Sequence, residues 1–384
     1  MTWETDIAEI KKRRALAKQQ GGEESVERHH QKGRLTIRER ISALLDPESF
    51  DEIGEGAGVP DFNESNDLIN FQPANFVLGF GDINGRKVIV GGEDFTLKGG
   101  SPNPAGLRKS VYAEQLALQY KVPLVRLHEG GGGSVGGTAQ EKNRRPLGDP
   151  VFSTSRFHPL ALTLGQVPVV AAALGPVAGL PASRLVASHF SVMTPNAAVL
   201  IAGPQVVKRA LGRDLTKEEL GGPQVHLKSG AVDNLALDEQ DAMHQIATFL
   251  SYVPDNAWSR PNRIPNQDPL DRCEDILANI VPSNRRKPFQ MRKILELVLD
   301  KNEEGSSFFE MSRKYGPSLI TGLGRLNGHS VALIGNDCMY YAGAMTASAA
   351  QKLRRFVDFC NSFHLPILSF VDEPGFMIGP ESEA

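Results

Sequence analysis

The segment GFGDINGRKVIVGGED, residues 79–94, recurs as GLGRLNGHSVALIGND, residues 322–337. Both copies place an Asn-Gly pair between two apolar runs, at positions 84–85 and 327–328. Asn-Gly is the strongest short-range signal for a β-hairpin, because both central residues of a type I′ turn need positive φ. Each copy therefore predicts a hairpin, and the recurrence predicts two related domains.

The same offset of 243 residues continues without a gap for more than fifty residues, carrying Gly100 onto Gly343 and Pro123 onto Pro366. Between these points each copy has apolar side chains at helical spacing, in AGLRKSVYAEQLALQY and SAAQKLRRFVDFCNSF. Short apolar runs such as PVVAAAL and NAAVLIAG are typical of strands that are buried on both faces. Their alternation with helices predicts an α/β fold with a mostly parallel sheet.

Domain boundaries follow from the helix that DEQDAMHQIATFLSYV predicts and from the Pro- and Asn-rich stretch after it. We predict a first domain at 1–253 with an N-terminal helical extension, a linker at 254–288 and a second domain at 289–384. The offset would carry Val253 to about position 496, beyond Ala384. The second domain is therefore expected to be partial, either because the sequence is a fragment or because the domain is degenerate.

Length and composition are those of a globular protein, with 384 residues, 40% of them hydrophobic and 23% charged, and a net charge of -3. This net charge gives no reason to expect a nucleic-acid partner, because nucleic-acid binding needs a concentrated basic surface. No apolar run has membrane-spanning length, and the first ten residues are too acidic for a signal or transit peptide. We therefore predict an intracellular protein in the cytoplasm, or in the mitochondrial matrix if it is eukaryotic.

Neither disulfides nor a metal site are predicted. Cys273, Cys338 and Cys360 are odd in number and far apart, which favours reduced thiols. The adjacent histidines at 29–30 face different sides of a helix, and the His-Glu pair at 128–129 supplies too few ligands for a metal.

The glycine-rich stretch HEGGGGSVGGT, residues 128–138, follows an apolar run, and its backbone N–H groups could bind an anion. A nucleotide P-loop needs a lysine after the glycines, and none is present. Gly131, Gly133 and Gly136 fit G-x-G-x-x-G, but no apolar helix follows, as a dinucleotide site requires. An anion-binding loop and an ordinary surface loop therefore both stay open from these residues.

A second glycine loop, GPVAG at 175–179, follows VVAAAL and precedes LPASRLVAS. Gly179 and Leu180 are predicted to lie at a helix start, where free N–H groups and the helix dipole favour negative charge. Two such donors could form an oxyanion hole. Alternatively, the glycines serve only the close packing of strand and helix.

The chain resembles the carboxyltransferase (beta) subunit of biotin-dependent acyl-CoA carboxylases, the propionyl-CoA and methylcrotonyl-CoA carboxylase group. The resemblance covers nearly the whole chain from about Gly33 and is carried by GRLTIRERISALLDPESFDEI, GEDFTLKGGS, AGPQVVKRALGRDLTKEELGG, SGAVDNLALDE and FVDEPGFMIG. It implies tandem crotonase-like (ClpP/crotonase) domains and a site formed by opposed domains of two subunits. The implied activity moves a carboxyl group from carboxybiotin to the α or vinylogous carbon of an acyl-CoA through a thioester enolate.

Carried over by motif, the thioester oxyanion hole would be the N–H groups of Gly179 and Leu180. The family usually has a second glycine where Leu180 stands. The substrate pocket would include Gly132, Gly133 and Ser134, although the family loop has arginine or asparagine near the serine. The biotin side would include Gly375 and Phe376, while its own oxyanion donors would fall near positions 422 and 423, beyond this sequence.

The resemblance also implies partners. The sequence has no biotinyl-lysine MKM motif and no ATP-binding glycine loop with lysine, so biotin and biotin carboxylase would come from a partner subunit, and the chain would self-associate as a dimer or hexamer. Two other functions stay open. One is a decarboxylase that transfers carboxyl groups from an acyl-CoA to biotin, and the other is a non-catalytic homologue that binds CoA esters or serves assembly.

Overall fold

The computed structural model describes residues 3–132, 157–284, 286–302 and 305–383. Its helices are α1 (Glu4–Lys18), α2 (Glu23–His30), α3 (Ile37–Leu44), α4 (Pro104–Tyr120), α5 (His158–Leu164), α6 (Leu180–Val186), α7 (Pro204–Leu211), α8 (Lys217–Gly221), α9 (Pro223–Ser229), α10 (Glu239–Tyr252), α11 (Leu277–Ile280), α12 (Met291–Val298), α13 (Ala347–Ser362) and α14 (Pro380–Glu383). Short 3₁₀ turns lie at Lys98–Gly100 and Tyr341–Gly343.

Its strands are β1 (Asp51–Glu52), β2 (Gly58–Phe62), β3 (Leu68–Pro73), β4 (Phe76–Ile83), β5 (Arg86–Glu93), β6 (Leu124–Gly130), β7 (Val169–Ala178), β8 (Phe190–Met193), β9 (Ala198–Leu200), β10 (Asn234–Leu235), β11 (Lys301–Asn302), β12 (Gly305–Ser306), β13 (Phe309–Met311), β14 (Leu319–Leu326), β15 (His329–Asn336) and β16 (Ile367–Phe370). The chain forms two compact units, 1–223 with 236–247, and 224–235 with 248–384. The second unit thus includes the whole stretch predicted as a linker.

The first unit is built on a sheet with the order β1-β4-β5-β6-β7-β8, in which β9 also pairs with β7. The β4–β5 hairpin is antiparallel, whereas β5, β6, β7 and β8 run parallel. Consecutive parallel strands need crossover segments, and α4 and α6 fill two of these crossovers. The predicted hairpin and the predicted parallel sheet are both confirmed.

One face of this sheet changes from apolar to polar along the strands. The buried core on that face contains Leu78, Ile89, Leu124 and Val169 together with Leu116 of α4. Side chains two residues apart on a strand share a face, so Arg126 and His128 follow Leu124 on the same side of β6. The carboxyl end of the strands on this face is therefore buried but charged.

The second unit repeats this architecture on a smaller scale. Its sheet has the order β13-β14-β15-β16, with an antiparallel β14–β15 hairpin and β16 parallel to β15. Strands β14 and β15 begin and end at the positions that the 243-residue offset gives for β4 and β5. Its core packs α12 against the sheet through Met291, Leu295, Ile320 and Leu333. The sequence repeat is therefore a structural repeat.

Backbone conformation follows the repeat residue by residue. Positive φ values recur at three offset pairs of non-glycine residues, Asn84 and Asn327 (52° and 50°), Lys98 and Tyr341 (54° and 52°), and Lys121 and His364 (55° and 56°). A β-carbon on Gly100 would lie 2.6 Å from the carbonyl oxygen of Glu129, and one on Gly343 would lie 2.6 Å from that of Asp372. Both glycines are needed because the turn passes so close to the next strand.

Candidate active site

The predicted helix start after GPVAG lies at the carboxyl end of β7. Gly179 caps α6 with φ 68° and ψ −127°, and Leu180 is the first helical residue. The carbonyl oxygen of Gly179 accepts a hydrogen bond from the N–H of Ser183 at 3.0 Å. Pro181 has no N–H to offer, so the donor that the helix presents first is that of Leu180.

The two amides predicted to form the oxyanion hole differ in their surroundings. The N–H of Gly179 donates to the carbonyl oxygen of Leu200 in β9, at 3.2 Å. It is therefore engaged in this structure and would have to leave Leu200 to bind a substrate oxygen. The N–H of Leu180 has no acceptor within α6, because the first N–H groups of a helix lack an intrahelical partner.

The glycine-rich loop meets this helix start. A β-carbon on Gly132 would lie 2.6 Å from the Cα of Gly179, and a β-carbon on Gly179 would lie 2.6 Å from the Cα of Gly132. Only two glycines allow the backbones to approach so closely, and the predicted substrate loop and oxyanion loop are thus brought together at these two residues. Gly133 and Ser134, also predicted for the pocket, lie outside the described residues.

A small pocket of about 20 Å³, with room for about one water molecule, opens beside the start of α6. Leu180 and Pro181 form one part of its wall, and Gly100 and Pro102 of the turn after β5 form another. Its complete lining is Asn75, Phe76, Glu93, Gly100, Pro102, Gly106, Leu107, Ser110, Leu180, Pro181 and Arg184. The wall combines apolar side chains with a few convergent polar groups.

Charged side chains behind this pocket form a buried network. Glu114 of α4 accepts hydrogen bonds from Arg126 of β6 and, at 3.0 Å, from Nε of Arg184 in α6. Arg184 also donates through Nη1 to the Ser110 hydroxyl at 3.1 Å. The side chains of Arg126, Glu114 and Arg184 are at most 2% exposed. A buried charge of this kind is tolerated only when it is paired.

Glu93, at the end of β5, forms the second pair on this face with His128 of β6, whose Nδ1 lies 3.0 Å from Oε2. Burial alone would raise the pKa of Glu93, but the charge and the hydrogen bond of His128, together with the charge of Arg184, lower it. Burial lowers the pKa of Arg126 to about 10, which leaves it protonated at neutral pH. Glu93 and Glu114 thus lie among the basic side chains of His128, Arg126 and Arg184.

A separate ionic cluster lies at the base of the glycine loop, on the other face of β6. Glu129 is fully buried and lies 2.8 Å from Nη1 of Arg34 and 2.7 Å from Nη1 of Arg40. His29 of α2 lies 3.4 Å from the same carboxylate, and Arg40 also pairs with Glu239 at 2.6 Å. The helices α2 and α3 are thus tied to the strand that leads into the loop.

The residues predicted for the biotin side lie in the second unit. Gly375 has φ 130°, and its carbonyl oxygen accepts a hydrogen bond from the N–H of Met345 at 3.0 Å. Phe376 forms an isolated parallel bridge with Met345 and is 82% exposed. Both residues thus belong to one surface segment beside the 3₁₀ turn of this unit.

Several site residues were missed by the sequence reasoning. Glu93, Ser110, Glu114, Arg126 and Arg184 were not singled out, although a lone arginine inside the apolar runs PLVRL and PASRLV was a usable signal. In the described ranges there is no group of three or more His, Cys, Asp or Glu that could hold a metal ion. No helix of that same part of the chain is long and apolar enough to cross a membrane.

Comparison with known proteins gives consistent matches. The carboxyl transferase domain family matches residues 28–384. The chain is 33% identical to the carboxyltransferase subunit of propionyl-CoA carboxylase from Haloferax mediterranei, over 100% of this chain and 72% of that protein. It is also 33% identical to the human mitochondrial propionyl-CoA carboxylase beta chain, over 97% of this chain and 68% of that one. The hexameric transcarboxylase 12S, solved with methylmalonyl-CoA and methylmalonic acid bound, superimposes with a TM-score of 0.86 at 30% identity, covering 100% of this chain and 73% of that one.

Proposed function

Because this chain belongs to the carboxyl transferase domain family and has its crotonase-like fold, we propose that it is the carboxyltransferase subunit of a biotin-dependent acyl-CoA carboxylase. The proposed reaction transfers a carboxyl group to the α or vinylogous carbon of an acyl-CoA thioester. Carboxybiotin supplies the activated carboxyl group in such enzymes, so the protein itself contributes binding, orientation and electrostatics. The observation that carries the proposal is the start of α6 beside the pocket that Leu180 lines.

In this proposal the thioester oxygen binds at Leu180. Negative charge develops on that oxygen as the α-carbon loses its proton, and a backbone donor fixed in advance stabilises it without reorganisation. The positive end of the α6 dipole adds to this effect. Gly179 would join as a second donor if its N–H exchanged Leu200 for the substrate. Gly132 abuts Gly179 and would border the thioester.

We further propose that biotin arrives on a partner subunit, with a biotin carboxylase that loads it, and that Gly375 and Phe376 border the biotin. An exposed phenylalanine offers an apolar surface for a fused ring such as that of biotin. The relative transcarboxylase 12S is described as a hexamer and a multienzyme core, which supports a multisubunit arrangement here. The three free cysteines fit a reducing, intracellular compartment.

The test is carboxyl transfer from isotopically labelled carboxybiotin to a panel of acyl-CoA thioesters. Leu180→Pro and Leu180→Ala form a matched pair, because proline removes the N–H yet is accepted at the first helical position, whereas alanine keeps it. We expect Leu180→Pro to lower the transfer rate about 100-fold relative to Leu180→Ala. Equal rates for the two variants would exclude this amide as an oxyanion donor. Tight thioester binding without any labelled product would favour the non-catalytic homologue.

A further inference from the structure

An open pocket on the second unit is lined by basic side chains and by no carboxylate. The pocket has a volume of about 550 Å³, which lies within the range of small-molecule sites. The polar part of its lining consists of Arg260, His329, Ser330, Asn361 and His364. A concave surface whose ionisable groups are all basic favours a ligand that carries negative charge.

Arg260 is held at this pocket by contacts on both sides of it in the chain. On one side, Nε2 of His364 donates a hydrogen bond to the carbonyl oxygen of Ala257 at 2.8 Å. On the other side, Nε of Arg263 donates to the carbonyl oxygen of Asn327 at 2.9 Å. The guanidinium of Arg260 itself pairs with no carboxylate in the part of the chain that the structure describes. It is therefore available to a ligand.

A buried cation lies behind the pocket. Arg325 of β14 is 6% exposed and donates through Nη1 to the Ser330 hydroxyl at 3.2 Å. Among the described residues Arg325 has no carboxylate at ion-pair distance, although the charge of Asp300 acts on it from further away. Because the oxygen of Ser330 accepts from Arg325, the hydroxyl hydrogen of Ser330 is left for another acceptor. The pocket can supply that acceptor from a ligand.

The carboxyl end of α13 opposes an anion, because Cys360 and Asn361 of its last turn also line the pocket. This helix end is equivalent to about half a negative elementary charge. The carbonyl oxygen of Cys360 is already used by the N–H of Leu365, at 3.0 Å. Arg260 and Arg325 each carry a full positive charge, of which Asp300 offsets at most one. The balance around the pocket is therefore positive even with both imidazoles neutral.

The donors of the lining favour a phosphate group over a carboxylate. A guanidinium binds either group with two parallel hydrogen bonds, but a phosphate monoester has three terminal oxygens and a charge of roughly −1.5 to −2 at neutral pH. The donors come from three segments of the chain, since Arg260 precedes α11, Ser330 belongs to β15 and Asn361 to α13. Pro261 and Pro366 also line the pocket and offer apolar surface to carbon atoms.

We propose that this pocket binds a small organic phosphate through its phosphate group. The phosphate oxygens accept hydrogen bonds from Arg260, His329 and the Ser330 hydroxyl, and the carbon skeleton contacts the two prolines. The pocket lies before β16, which begins directly after Pro366, whereas Gly375 and Phe376 follow the other end of that strand. This site is therefore separate from the residues proposed to border biotin.

The experiment is calorimetric titration of the whole chain with glycerol 3-phosphate and inorganic phosphate, with acetate as the carboxylate control. We expect glycerol 3-phosphate to bind at least about tenfold more tightly than acetate, the difference typical of one additional hydrogen bond to a charged group. Inorganic phosphate, which lacks the carbon skeleton, should bind less tightly than glycerol 3-phosphate. The absence of binding by glycerol 3-phosphate, or equal binding of acetate, would reject the proposal.

Variants of Arg260 separate a specific contact from general attraction of charge. Arg260→Gln should weaken glycerol 3-phosphate binding about tenfold, and Arg260→Lys should have a smaller effect, because it keeps the charge but loses the two parallel hydrogen bonds. The control is Arg286→Gln, which removes the same charge from an exposed arginine outside the pocket. Unchanged binding by Arg260→Gln, or equal weakening by the two glutamine variants, would reject the site and leave the proposed function intact. Circular dichroism establishes that each variant is folded.

Discussion

Glu129 shows how a single buried carboxylate positions the start of the glycine-rich stretch. It is the penultimate residue of β6, immediately before the glycines, and Arg34 and Arg40 contact it from the N-terminal segment. A β-carbon on Gly175 would collide with the Glu129 carboxylate, so the absence of a side chain at Gly175, the first residue of GPVAG, leaves space for that carboxylate. One side chain therefore links the strand before the glycine-rich stretch, the GPVAG loop and α3.

Replacing Glu129 by glutamine should change the acid stability of the protein. Burial alone would raise the pKa of Glu129, but the hydrogen bond from His29 and the charges of Arg40 and Arg34 lower it below 4.5. A lowered pKa in the folded state gives stability that is present above about pH 4.5 and is lost as pH falls. We expect Glu129→Gln to lower the free energy of unfolding by about 3 kcal/mol at pH 7, because it leaves buried cations unpaired.

Urea unfolding at pH 7, 5 and 4 measures this effect. The difference in unfolding free energy between the unmodified protein and Glu129→Gln should narrow as pH falls. Glu129 takes up a proton in the unfolded chain before it does so in the folded protein, which favours unfolding, whereas glutamine takes up no proton. The exposed Glu64→Gln serves as the control and should show a constant, small difference. A gap that is independent of pH would show that Glu129 does not carry the charge assigned to it.

Gly179 and Gly212 allow a conformational penalty to be separated from a steric one. They have nearly the same φ, 68° and 67°, but a β-carbon on Gly212 would meet nothing within 4 Å, whereas one on Gly179 would lie 2.6 Å from Gly132. Gly212→Ala should cost about 1 kcal/mol of unfolding free energy. Gly179→Ala should cost more and should also weaken thioester binding, because the glycine loop must move. Similar effects of both substitutions on thioester binding would contradict the close approach.

Among the elements, the two hairpins share a clamp that the repeat preserves. The carboxylate of Asp46 accepts hydrogen bonds from the N–H groups of Asn84 (2.9 Å) and Gly85 (2.7 Å). Asp300 does the same for the second Asn-Gly turn, at 2.9 and 2.7 Å. The turn conformation therefore depends on a side chain from outside the hairpin as well as on its own residues.

The Asp46→Ala and Asp300→Ala variants should be destabilised to a similar degree, by roughly 1 to 2 kcal/mol, because each loses two hydrogen bonds to a charged acceptor at a partly exposed turn. Denaturant unfolding at neutral pH measures the loss. Asp→Asn at the same positions is the control, since it keeps one carbonyl oxygen and should recover part of the stability. Full stability of both alanine variants would mean that the Asn-Gly turns need no clamp.

Helices α4 and α13 carry equivalent buried lysines, Lys109 and Lys352. Burial lowers the pKa of each to about 8. Since a lysine in the unfolded chain titrates near 10.5, the folded protein releases this proton first, and stability rises as pH increases from about 8 to 10.5. Lys352→Met lacks this gain. Its stability relative to the unmodified protein should therefore fall by up to about 1.4 kcal/mol per pH unit across that range.

Thermal or denaturant unfolding at pH 7, 8, 9 and 10 measures that slope. Lys109→Met should behave in the same way, and the exposed Lys11→Met is the control that should show no slope relative to the unmodified protein. The absence of a slope in both buried variants would mean that these ammonium groups remain fully charged in the folded state.

At the scale of the whole molecule, local signals made the fold predictable. The Asn-Gly turns fixed both hairpins, and helical spacing placed α4 and α13 to within one or two residues at either end. What could not be predicted depends on contacts between distant parts of the chain. Arg40 and Glu239 are 199 residues apart in sequence, and Gly179 donates to Leu200 only because β9 pairs with β7. Periodicity carries no information about such pairs.

The boundaries of the two units also depend on contacts between residues that are distant in sequence. Residues 224–235 belong by contact to the second unit, where Asp233 accepts a hydrogen bond from the Ser312 hydroxyl and pairs with Arg355 at 3.0 Å. The predicted division at residue 253 followed the order of elements along the chain and stays a prediction. The helix start after GPVAG could be predicted from the sequence because it is a local strand–glycine–helix motif, whereas the polar wall formed by Glu93 and Arg184 required the fold.

Self-association of the chain is the last prediction, and an apolar surface patch on the second unit motivates it. The patch consists of large exposed side chains that lie near the 3₁₀ turn and the segment after β16, namely Tyr340, Tyr341, Val371, Phe376 and Ile378. The bridge between Met345 and Phe376 joins these two segments. Exposed apolar clusters of this kind mark interaction surfaces, and covering them gains roughly 25 cal/mol per Å² of apolar area removed from water.

We therefore expect light scattering to give a particle of at least twice the mass of the chain, with a second copy contacting part of the patch. Phe376→Asp places a charge in the middle of the buried surface and should shift the population toward the monomer at micromolar concentration. Leu270→Asp is the matched control, because Leu270 is equally exposed, at 82%, but lies outside the patch. A monomeric unmodified protein would contradict the prediction and would count against a site completed by two subunits. If the Phe376→Asp variant formed an oligomer of the same mass as the unmodified protein, the contact between copies would lie elsewhere on the surface.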